Sequence, residues 1–313
     1  MIDHVRAELD PTPSGRIVPM QFNESDPLVE VVVGIADNMG DNFHPGFHAQ
    51  RNNLKSTENE DQGAEAKRKT IAELDGLTRT LEKMGVIVHR PSPLPPESGN
   101  QNQVYPRDIG FSLGELFIVS SMARRSRMNE WRGINHLIEQ MPEDRVFWAP
   151  ESAVVEGGDV VVDKDHVFVG LSQRTTQAGF NFIASLAVEQ GLTPVAIPLK
   201  GLSSGFDVLH LDCTFVPVGN EAALIFGDGM EYIPPEIRRN YQMISITPEE
   251  QNTLDTNMFT VDPKTVITRD SAHRINNELV NAGMRVIPIS FDEPTKQGGN
   301  LRCSTLPLVR SRV

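Results

Sequence analysis

The sequence predicts an α/β protein in which five repeated ββαβ units form a closed ring, a five-bladed α/β propeller. Three observations lead to this prediction. Five strand-like apolar runs end in proline, paired β-rich runs and a helix-like stretch recur between the prolines, and polar residues recur at the start of each unit. The alternative is a generic α/β sheet in which the prolines merely end strands.

The first observation is the regular return of a proline after a short apolar run. Successive prolines are 59, 48, 50 and 40 residues apart, which is the spacing of repeat architectures. The five prolines are Pro91, Pro150, Pro198, Pro248 and Pro288.

The second observation is the order of signals between these prolines. Two β-rich runs flank a tight turn of Gly, Asn, Asp or Pro, at residues 108–120, 160–171, 214–226 and 258–268. Helix-like stretches are predicted at residues 65–84, 127–140, 176–190 and 270–282. In the first of them Ile71, Leu74, Leu77 and Leu81 recur every three or four residues, as on the buried face of a helix.

Length and composition predict one soluble globular domain over residues 1–313, with an irregular N-terminal segment over residues 1–20. The net charge of −13 disfavours nucleic acid and anionic membranes as partners. No apolar stretch approaches the roughly 18 residues of a membrane span. Cys213 and Cys303 form no disulfide framework or zinc motif, and glycine-rich nucleotide-binding motifs are absent. We therefore expect a cytoplasmic protein without metal or cofactor.

The third observation concerns the first polar residues of each unit, which a ring would bring together near its axis. They include one cysteine, one histidine and three aspartates. These lie in the motifs Tyr105-Pro106-Arg107-Asp108, Glu156-Gly157-Gly158-Asp159, His210-Leu211-Asp212, and Gly298-Gly299 through Cys303, with Asn257 in the fourth unit.

This set of side chains predicts a nucleophilic cysteine site. Cys303 needs a base or a cation nearby because a free thiol with a pKa of about 8.5 is mostly protonated at neutral pH. His210 is the candidate acid and base, and Asp159 is the candidate that orients its ring. The aspartates make the pocket anionic, which favours a planar guanidinium as ligand. Cys213 begins a β-rich run and is predicted to pack in the core.

At these motifs the chain resembles the amidinotransferases of the guanidino-group-modifying, or pentein, superfamily, and arginine:glycine amidinotransferase most closely. The resemblance runs from about Asn23 almost to the C-terminus. It rests on the motifs 23–28, 105–109, 121–130, 210–215 and 298–303, whereas Glu156-Gly157-Gly158-Asp159 and residues 170–175 are equally similar to arginine deiminase.

The resemblance implies the five-fold propeller and a role for each matching residue. It implies that Cys303 attacks the guanidinium carbon, that His210 moves protons to and from the amines, and that Asp159 holds His210. It also implies that Asp108 and Asp212 bind the guanidinium nitrogens. We expect two further residues in the substrate-binding set: Gly158, where the backbone can approach closely, and Asn257 in the fourth unit.

The sequence also departs from the family pattern where the substrate is recognised. The animal enzyme has an arginine about nineteen residues past the histidine that is implicated in holding the substrate carboxylate, and Gly229 falls near that place here. Asn300-Leu301-Arg302 replaces a glycine, an aromatic residue and a histidine. Arg302 or Arg107 is a candidate to bind a carboxylate, with a surface or ion-pair role as the alternative.

The predicted reaction is transfer of an amidino group from a guanidino donor, L-arginine in the first instance, to a primary amine, within arginine metabolism. The alternative is a hydrolase of the deiminase, dihydrolase or dimethylarginine dimethylaminohydrolase type, in which water takes the place of the amine. A catalytically idle protein that binds a guanidino compound is a third hypothesis, against which the intact Cys303, His210 and Asp159 argue. Family analogy favours a homodimer.

Overall fold

Five small sheets of three strands each make up the fold. The computed structural model describes residues 16–39, 60–95, 102–201 and 208–312. Within these ranges the strands are β1 (Leu28–Val33), β2 (Ile87–His89), β3 (Gly110–Leu113), β4 (Leu116–Val119), β5 (Val146–Trp148), β6 (Val160–Asp163), β7 (His166–Leu171), β8 (Thr193–Pro198), β9 (Phe215–Val218), β10 (Ala222–Ile225), β11 (Gln242–Ser245), β12 (Phe259–Asp262), β13 (Thr265–Arg269), β14 (Arg285–Ile289) and β15 (Thr305–Arg310).

Four of the five sheets are consecutive in sequence and share one connectivity. An antiparallel hairpin is followed by a third strand that runs parallel to the second, in the orders β3-β4-β5, β6-β7-β8, β9-β10-β11 and β12-β13-β14. The hairpins lie in the four predicted pairs of β-rich runs. In the β6–β7 hairpin Lys164 and Asp165 both have positive φ, 50° and 60°, as a two-residue hairpin turn requires.

The first sheet is assembled from both ends of the chain. β1 pairs in antiparallel fashion with β15 and in parallel fashion with β2, so that β15 takes the place that the first hairpin strand has in the other blades. Val33 lies opposite Thr305, and Leu28 lies opposite Arg310. This pairing joins the two ends of the repeat, and the predicted five-bladed α/β propeller is confirmed.

The helices are α1 (Glu60–Lys83), α2 (Asn135–Ile138), α3 (Gln177–Glu189), α4 (Pro235–Asn240), α5 (Pro248–Asn252), α6 (His273–Asn281) and α7 (Asp292–Lys296). The predicted helices at 65–84, 176–190 and 270–282 are confirmed as α1, α3 and α6. The prediction of one α-helix at 127–140 is wrong for most of its length. Two 3₁₀ turns, at Arg125–Arg127 and Glu130–Ile134, precede the single α-helical turn of α2. Gly133 disfavours a continuous α-helix there, and the segment packs tightly at this residue, where a Cβ would lie 2.2 Å from Gln103 Nε2.

The core is built from the sheet faces and the inner faces of the helices. Leu74, Leu77 and Leu81 of α1 are fully buried against the first, fourth and fifth blades, as their spacing predicts. Of the predicted irregular segment 1–20, residues 1–15 lie outside the described residues, whereas Met20 forms a bridge to Val309. Among the helices of the described ranges, none has the length and apolar character to cross a membrane.

Candidate active site

The predicted site residues lie directly before the first strands of their blades. Short 3₁₀ turns at Pro106–Ile109, Gly157–Asp159 and Leu211–Cys213 lead into β3, β6 and β9, and they place Asp108, Asp159 and Asp212. His210 caps the third turn, and Cys303 comes two residues before β15. The repeat thus brings side chains that are far apart in sequence into one buried cluster.

His210 lies between two carboxylates and has only 1% of its surface exposed. Its Nε2 lies 2.8 Å from Glu156 Oε2, and its Nδ1 lies 3.7 Å from Asp108 Oδ1. Burial disfavours the charged ring, but the carboxylates of Asp108, Glu156 and Asp159 outweigh burial and raise the pKa of His210 to about 9. The imidazole is therefore protonated at neutral pH and can give up a proton as a general acid.

The carboxylate that binds the imidazole is Glu156, and this corrects the expected contact between Asp159 and His210. Asp159 accepts hydrogen bonds from Leu211 N at 2.9 Å and from Ser172 Oγ at 2.7 Å. It therefore fixes the backbone next to His210 and acts on the ring only through its charge. Glu156 was not predicted as a site residue, although it lies one 3₁₀ turn before Asp159 in the same motif.

Glu156 is held on its other sides as well. Its Oε1 accepts a hydrogen bond from Ala123 N at 3.0 Å, and Arg174 Nη1 lies 3.2 Å from Oε2. Burial would raise the pKa of Glu156, but the hydrogen bond and charge of His210, together with Arg174, lower it to about 2. The pair is therefore an imidazolium and a carboxylate.

Asp108 presents one oxygen to the site and is held by the other. Arg127 Nη1 donates to Asp108 Oδ2 at 2.6 Å, and Arg127 is itself fixed by Glu130 Oε2 and the carbonyl oxygen of Tyr105. Asp108 Oδ1 is buried and has no hydrogen-bond partner among the described residues. A buried carboxylate oxygen without a donor is costly, and a cationic ligand would satisfy it. The role of Arg127 was not predicted from the sequence, because this residue lies on a separate segment.

Cys303 is 7% exposed and faces Asp212, with 3.9 Å between its Sγ and Asp212 Oδ2. Burial and the negative charges of Asp212 and Asp108 raise the pKa of the Cys303 thiol well above its ordinary value. The thiol is therefore protonated while the pocket is anionic, and a bound cation would favour the thiolate. Cys213 is buried in the core as predicted, and its Sγ lies 3.8 Å from Asp212 Oδ1.

Gly158 lies next to His210 and Asp108, whereas Asn257 lies behind the backbone of Cys303. A Cβ on Gly158 would lie 2.7 Å from His210 Nδ1 and 2.8 Å from Asp108 Oδ1, so the missing side chain leaves room between these two groups. Asn257 is fully buried, where its Oδ1 accepts a hydrogen bond from Cys303 N at 2.9 Å. It holds the backbone of the cysteine, and its expected contact with substrate stays a prediction.

The structure also corrects the expected carboxylate-binding role of Arg302 and Arg107. Arg302 has no exposed surface and forms ion pairs with Glu24 and Asp212. Arg107 is 1% exposed, and its Nε donates to the carbonyl oxygen of Arg302 at 3.3 Å. Both guanidinium groups lie in the protein interior, where their charges lower the pKa of Glu24.

Asp108, Glu156 and His210 are also the residues whose spacing suits a metal ion. One ligand atom from each lies within 4.8 Å of the others. A metal ion would take the place of the imidazole proton, since a coordinating imidazole must be deprotonated. Without a metal ion the carboxylates favour the protonated ring, which is the form that can act as a general acid.

Three comparisons relate this chain to known proteins. Residues 40–310 match the sequence profile of the family described as N,N dimethylarginine dimethylhydrolase, eukaryotic. The protein YkgA of Bacillus subtilis is 34% identical over 69% of this chain and 73% of its own length. The N(G),N(G)-dimethylarginine dimethylaminohydrolase of Pseudomonas aeruginosa is 24% identical over 76% of this chain and 88% of its own.

Among solved structures, SxtG, an amidinotransferase of the saxitoxin biosynthetic pathway in Microseira wollei, has the same fold. It superimposes with a TM-score of 0.76 at 18% identity and covers 94% of this chain and 98% of its own.

Proposed function

We propose that this chain, which belongs to the N,N dimethylarginine dimethylhydrolase family, breaks a C–N bond of a guanidino substrate through a covalent intermediate on Cys303. The observation that carries the proposal is the buried, unpartnered Oδ1 of Asp108 beside a protonated His210. A carboxylate that is held in place through one oxygen, here by Arg127, and lacks a hydrogen-bond donor on the other oxygen is a binding site for a planar cation with several N–H groups.

Two carboxylates would hold the guanidinium on opposite sides. Asp108 offers Oδ1 near His210, and Asp212 lies beside Cys303. A guanidinium between them would place its carbon near the sulfur and one of its nitrogens near the imidazole. The bound positive charge would also offset the two negative charges that hold the Cys303 thiol protonated.

The first half of the reaction forms a C–S bond and breaks a C–N bond. The Cys303 thiol loses its proton to solvent when the substrate cation binds, and the thiolate attacks the guanidinium carbon. The leaving nitrogen takes the imidazolium proton of His210 and departs as an amine, which leaves an amidino group on the sulfur. His210 is then neutral, and Glu156 continues to hold its ring.

In the proposed second half, a primary amine attacks the amidino carbon while His210 accepts its proton. The C–S bond breaks, and a new guanidinium compound is released from the Cys303 thiolate, which takes a proton from solvent once the product cation has left. With L-arginine as donor, ornithine is the amine that leaves in the first half. Support comes from the motifs at 121–130 and 210–215 and from the burial of His210 and Cys303, which limits the access of bulk water.

Hydrolysis is the second candidate, and family membership favours it. The matching profile and the Pseudomonas relative both carry the name of a hydrolase that acts on dimethylarginine. For citrulline, ammonia or dimethylamine is the amine that leaves in the first half, so the ornithine part stays on the carbon bound to Cys303. Water then attacks this carbon, His210 accepts a proton from the water, the C–S bond breaks, and citrulline is released. If ornithine leaves first, water releases urea instead. The same residues serve transfer and hydrolysis, which differ in the attacking molecule and, for citrulline, in the nitrogen that leaves first.

The deciding experiment is product analysis by mass spectrometry with L-arginine or dimethylarginine as donor, with and without a panel of primary amines. Ornithine that appears only with an amine, together with a new guanidino product, supports the transferase. Citrulline with ammonia or dimethylamine supports the hydrolase, as does ornithine with ammonia or urea.

Two controls accompany this assay. Cys303→Ala should abolish turnover and the amidino adduct on the Cys303 peptide, whereas Cys213→Ala should retain both. Turnover in the Cys303→Ala variant would overturn the covalent mechanism. Activity should also survive a chelator, because no step of the proposed reaction uses a metal.

A further inference from the structure

Arg302, the residue before Cys303, turns its guanidinium into the interior and bridges two carboxylates. Its Nη1 donates to Asp212 Oδ2 at 2.9 Å, and its Nη2 donates to Glu24 Oε1 at 2.8 Å. Nη2 also donates to the carbonyl oxygen of Val160 at 3.0 Å. Two carboxylates on one planar fork use the geometry that distinguishes arginine from lysine.

The oxygen of Asp212 that Arg302 binds is the oxygen that faces the nucleophile. Cys303 Sγ lies 3.9 Å from Asp212 Oδ2, which accepts the hydrogen bond from Arg302. The guanidinium therefore offsets part of the negative charge that acts on the thiol. It also fixes the orientation of Asp212, which has no exposed surface.

Glu24 is the second anion on this guanidinium and comes from the segment before β1. Its Oε1 also accepts a hydrogen bond from Gln21 Nε2 at 3.1 Å, and its backbone N donates to Asp163 Oδ1 at 2.9 Å. Burial would raise the pKa of Glu24, but the charges of Arg302 and Arg107 lower it to about 2. Glu24 is therefore a fixed negative charge that competes with Asp212 for Arg302.

We propose that Arg302 is a positioning residue that holds Asp212 beside Cys303, and that Glu24 sets how much of the positive charge of Arg302 is available to Asp212. The proposal rests on the proposed function only in taking Cys303 as the nucleophile. It assigns Arg302 to the interior of the protein and gives the segment before β1 a part in tuning the cysteine.

The prediction is a pair of effects with opposite sign. The titratable groups around the thiol are Asp212, Asp108, Cys213 and Tyr105, and Arg302 acts on it through Asp212. Removing Arg302 leaves Asp212 Oδ2 more negative and disfavours the thiolate. Neutralising Glu24 removes the anion that competes for Arg302, so the guanidinium offsets more of the charge of Asp212 and favours the thiolate. General damage to the fold would not shift the thiol pKa of the two variants in opposite directions.

The test measures the rate at which iodoacetamide alkylates Cys303 as a function of pH, without substrate, by mass spectrometry of the Cys303 peptide. A rise of one unit in thiol pKa slows alkylation about tenfold at pH 8. We expect Arg302→Met to be about tenfold slower than the parent and Glu24→Gln to be about threefold faster. Arg302→Lys, which keeps the charge, should lie between Arg302→Met and the parent.

Two further variants guard against simple misfolding. Arg310→Met is the matched control, because Arg310 is another fully buried arginine but donates to the carbonyl oxygens of Asp26 and Thr260. Its alkylation rate should stay within about twofold of the parent. In the double variant Arg302→Met with Glu24→Gln, Glu24 is no longer left as a buried charge without its arginine. This variant should therefore be more thermally stable than Arg302→Met, while its Cys303 remains slow to alkylate.

The same direction of change in Arg302→Met and Glu24→Gln would overturn the proposal, as would unchanged rates in both. Because the assay contains no guanidino compound, its outcome is separate from the product analysis. A chain that fails to turn over any guanidino donor can still show the two opposite shifts, and an active enzyme can fail to show them.

Discussion

Glu156 Oε2 lies 2.8 Å from His210 Nε2, and both side chains are shielded from solvent. The contact joins residues 54 positions apart on the turns before two neighbouring blades. It gives the imidazole a fixed orientation and keeps its proton. Because Asp159 was the residue expected at this contact, exchanging the two acids separately distinguishes their roles.

Glu156→Gln should lower kcat by about a hundredfold or more, since a misplaced or deprotonated imidazole loses general acid–base catalysis. Asp159→Asn should act mainly on stability, because Asp159 binds Leu211 N and Ser172 Oγ. A cost of about 1–3 kcal/mol in the free energy of unfolding is the ordinary effect of disturbing such buried hydrogen bonds. Steady-state kinetics and urea unfolding of both variants make the comparison. An Asp159→Asn variant with the larger loss of kcat would return the orienting role to Asp159.

The architecture could be predicted from the sequence because the signals of each repeat unit lie close together in the chain. Each hairpin turn and each proline-ended third strand lies within 40 to 60 residues, and the four predicted β-rich pairs became β3–β4, β6–β7, β9–β10 and β12–β13. The pairing of β1 with β15 was not read from the sequence, since it depends on contacts between opposite ends of the chain. The 3₁₀ turns at Arg125–Arg127 and Glu130–Ile134 were likewise not predicted, because the spacing of apolar residues alone does not distinguish short 3₁₀ turns from an α-helix.

The residues of the site were predicted more fully than the contacts between their side chains. Equivalent positions in a repeat bring Asp108, His210 and Cys303 together, but spacing does not reveal the direction of a side chain. Glu156 and Asp159 are one turn apart, so either could face His210 until the turn is known. The positive charge of Arg302 was equally compatible with a substrate carboxylate or with an internal carboxylate. In the structure the internal partner is Glu24, which comes from a distant segment of the chain.

The charge on His210 should make stability depend on pH. Because the pKa of His210 rises from 6.5 to about 9 on folding, the bound proton stabilises the fold fully below pH 6.5, and this contribution is lost as the pH rises through 9. A shift of that size corresponds to about 3 kcal/mol. Urea unfolding of the parent and His210→Asn between pH 5 and 10 measures it as a difference.

Comparison with a His210 variant is needed because Asp163 titrates in the same range. Burial raises the pKa of Asp163 to about 7, and that group is present in both proteins. The difference in the free energy of unfolding should be largest near pH 6 and vanish above pH 9. A difference that stays constant from pH 6 to pH 10 would contradict a protonated His210 in the folded protein.

Gly158→Ala should block the site while the fold survives. The new Cβ would lie less than 3 Å from both His210 Nδ1 and Asp108 Oδ1, in the gap that a guanidinium nitrogen would occupy. Activity should fall by about a hundredfold, as for displaced catalytic groups. Gly76→Ala in α1 is the matched control, since its nearest neighbour is Arg79 Nη2 at 3.9 Å and alanine favours a helix by up to about 1 kcal/mol. Equal activity of Gly158→Ala and the parent would place the substrate elsewhere.

A bound guanidinium should deprotonate Cys303. Burial, Asp212 and Asp108 raise the pKa of the thiol in the unliganded protein, and a cation between the two carboxylates removes the electrostatic part of that shift. Thiolate absorbance in the ultraviolet should therefore increase when guanidinium chloride is added at low millimolar concentration near pH 8, relative to sodium chloride. Cys303→Ser should abolish the increase, whereas Cys213→Ala should retain it. An increase that persists in Cys303→Ser would assign the responding thiol to Cys213 and remove the electrostatic basis for substrate-assisted activation of Cys303.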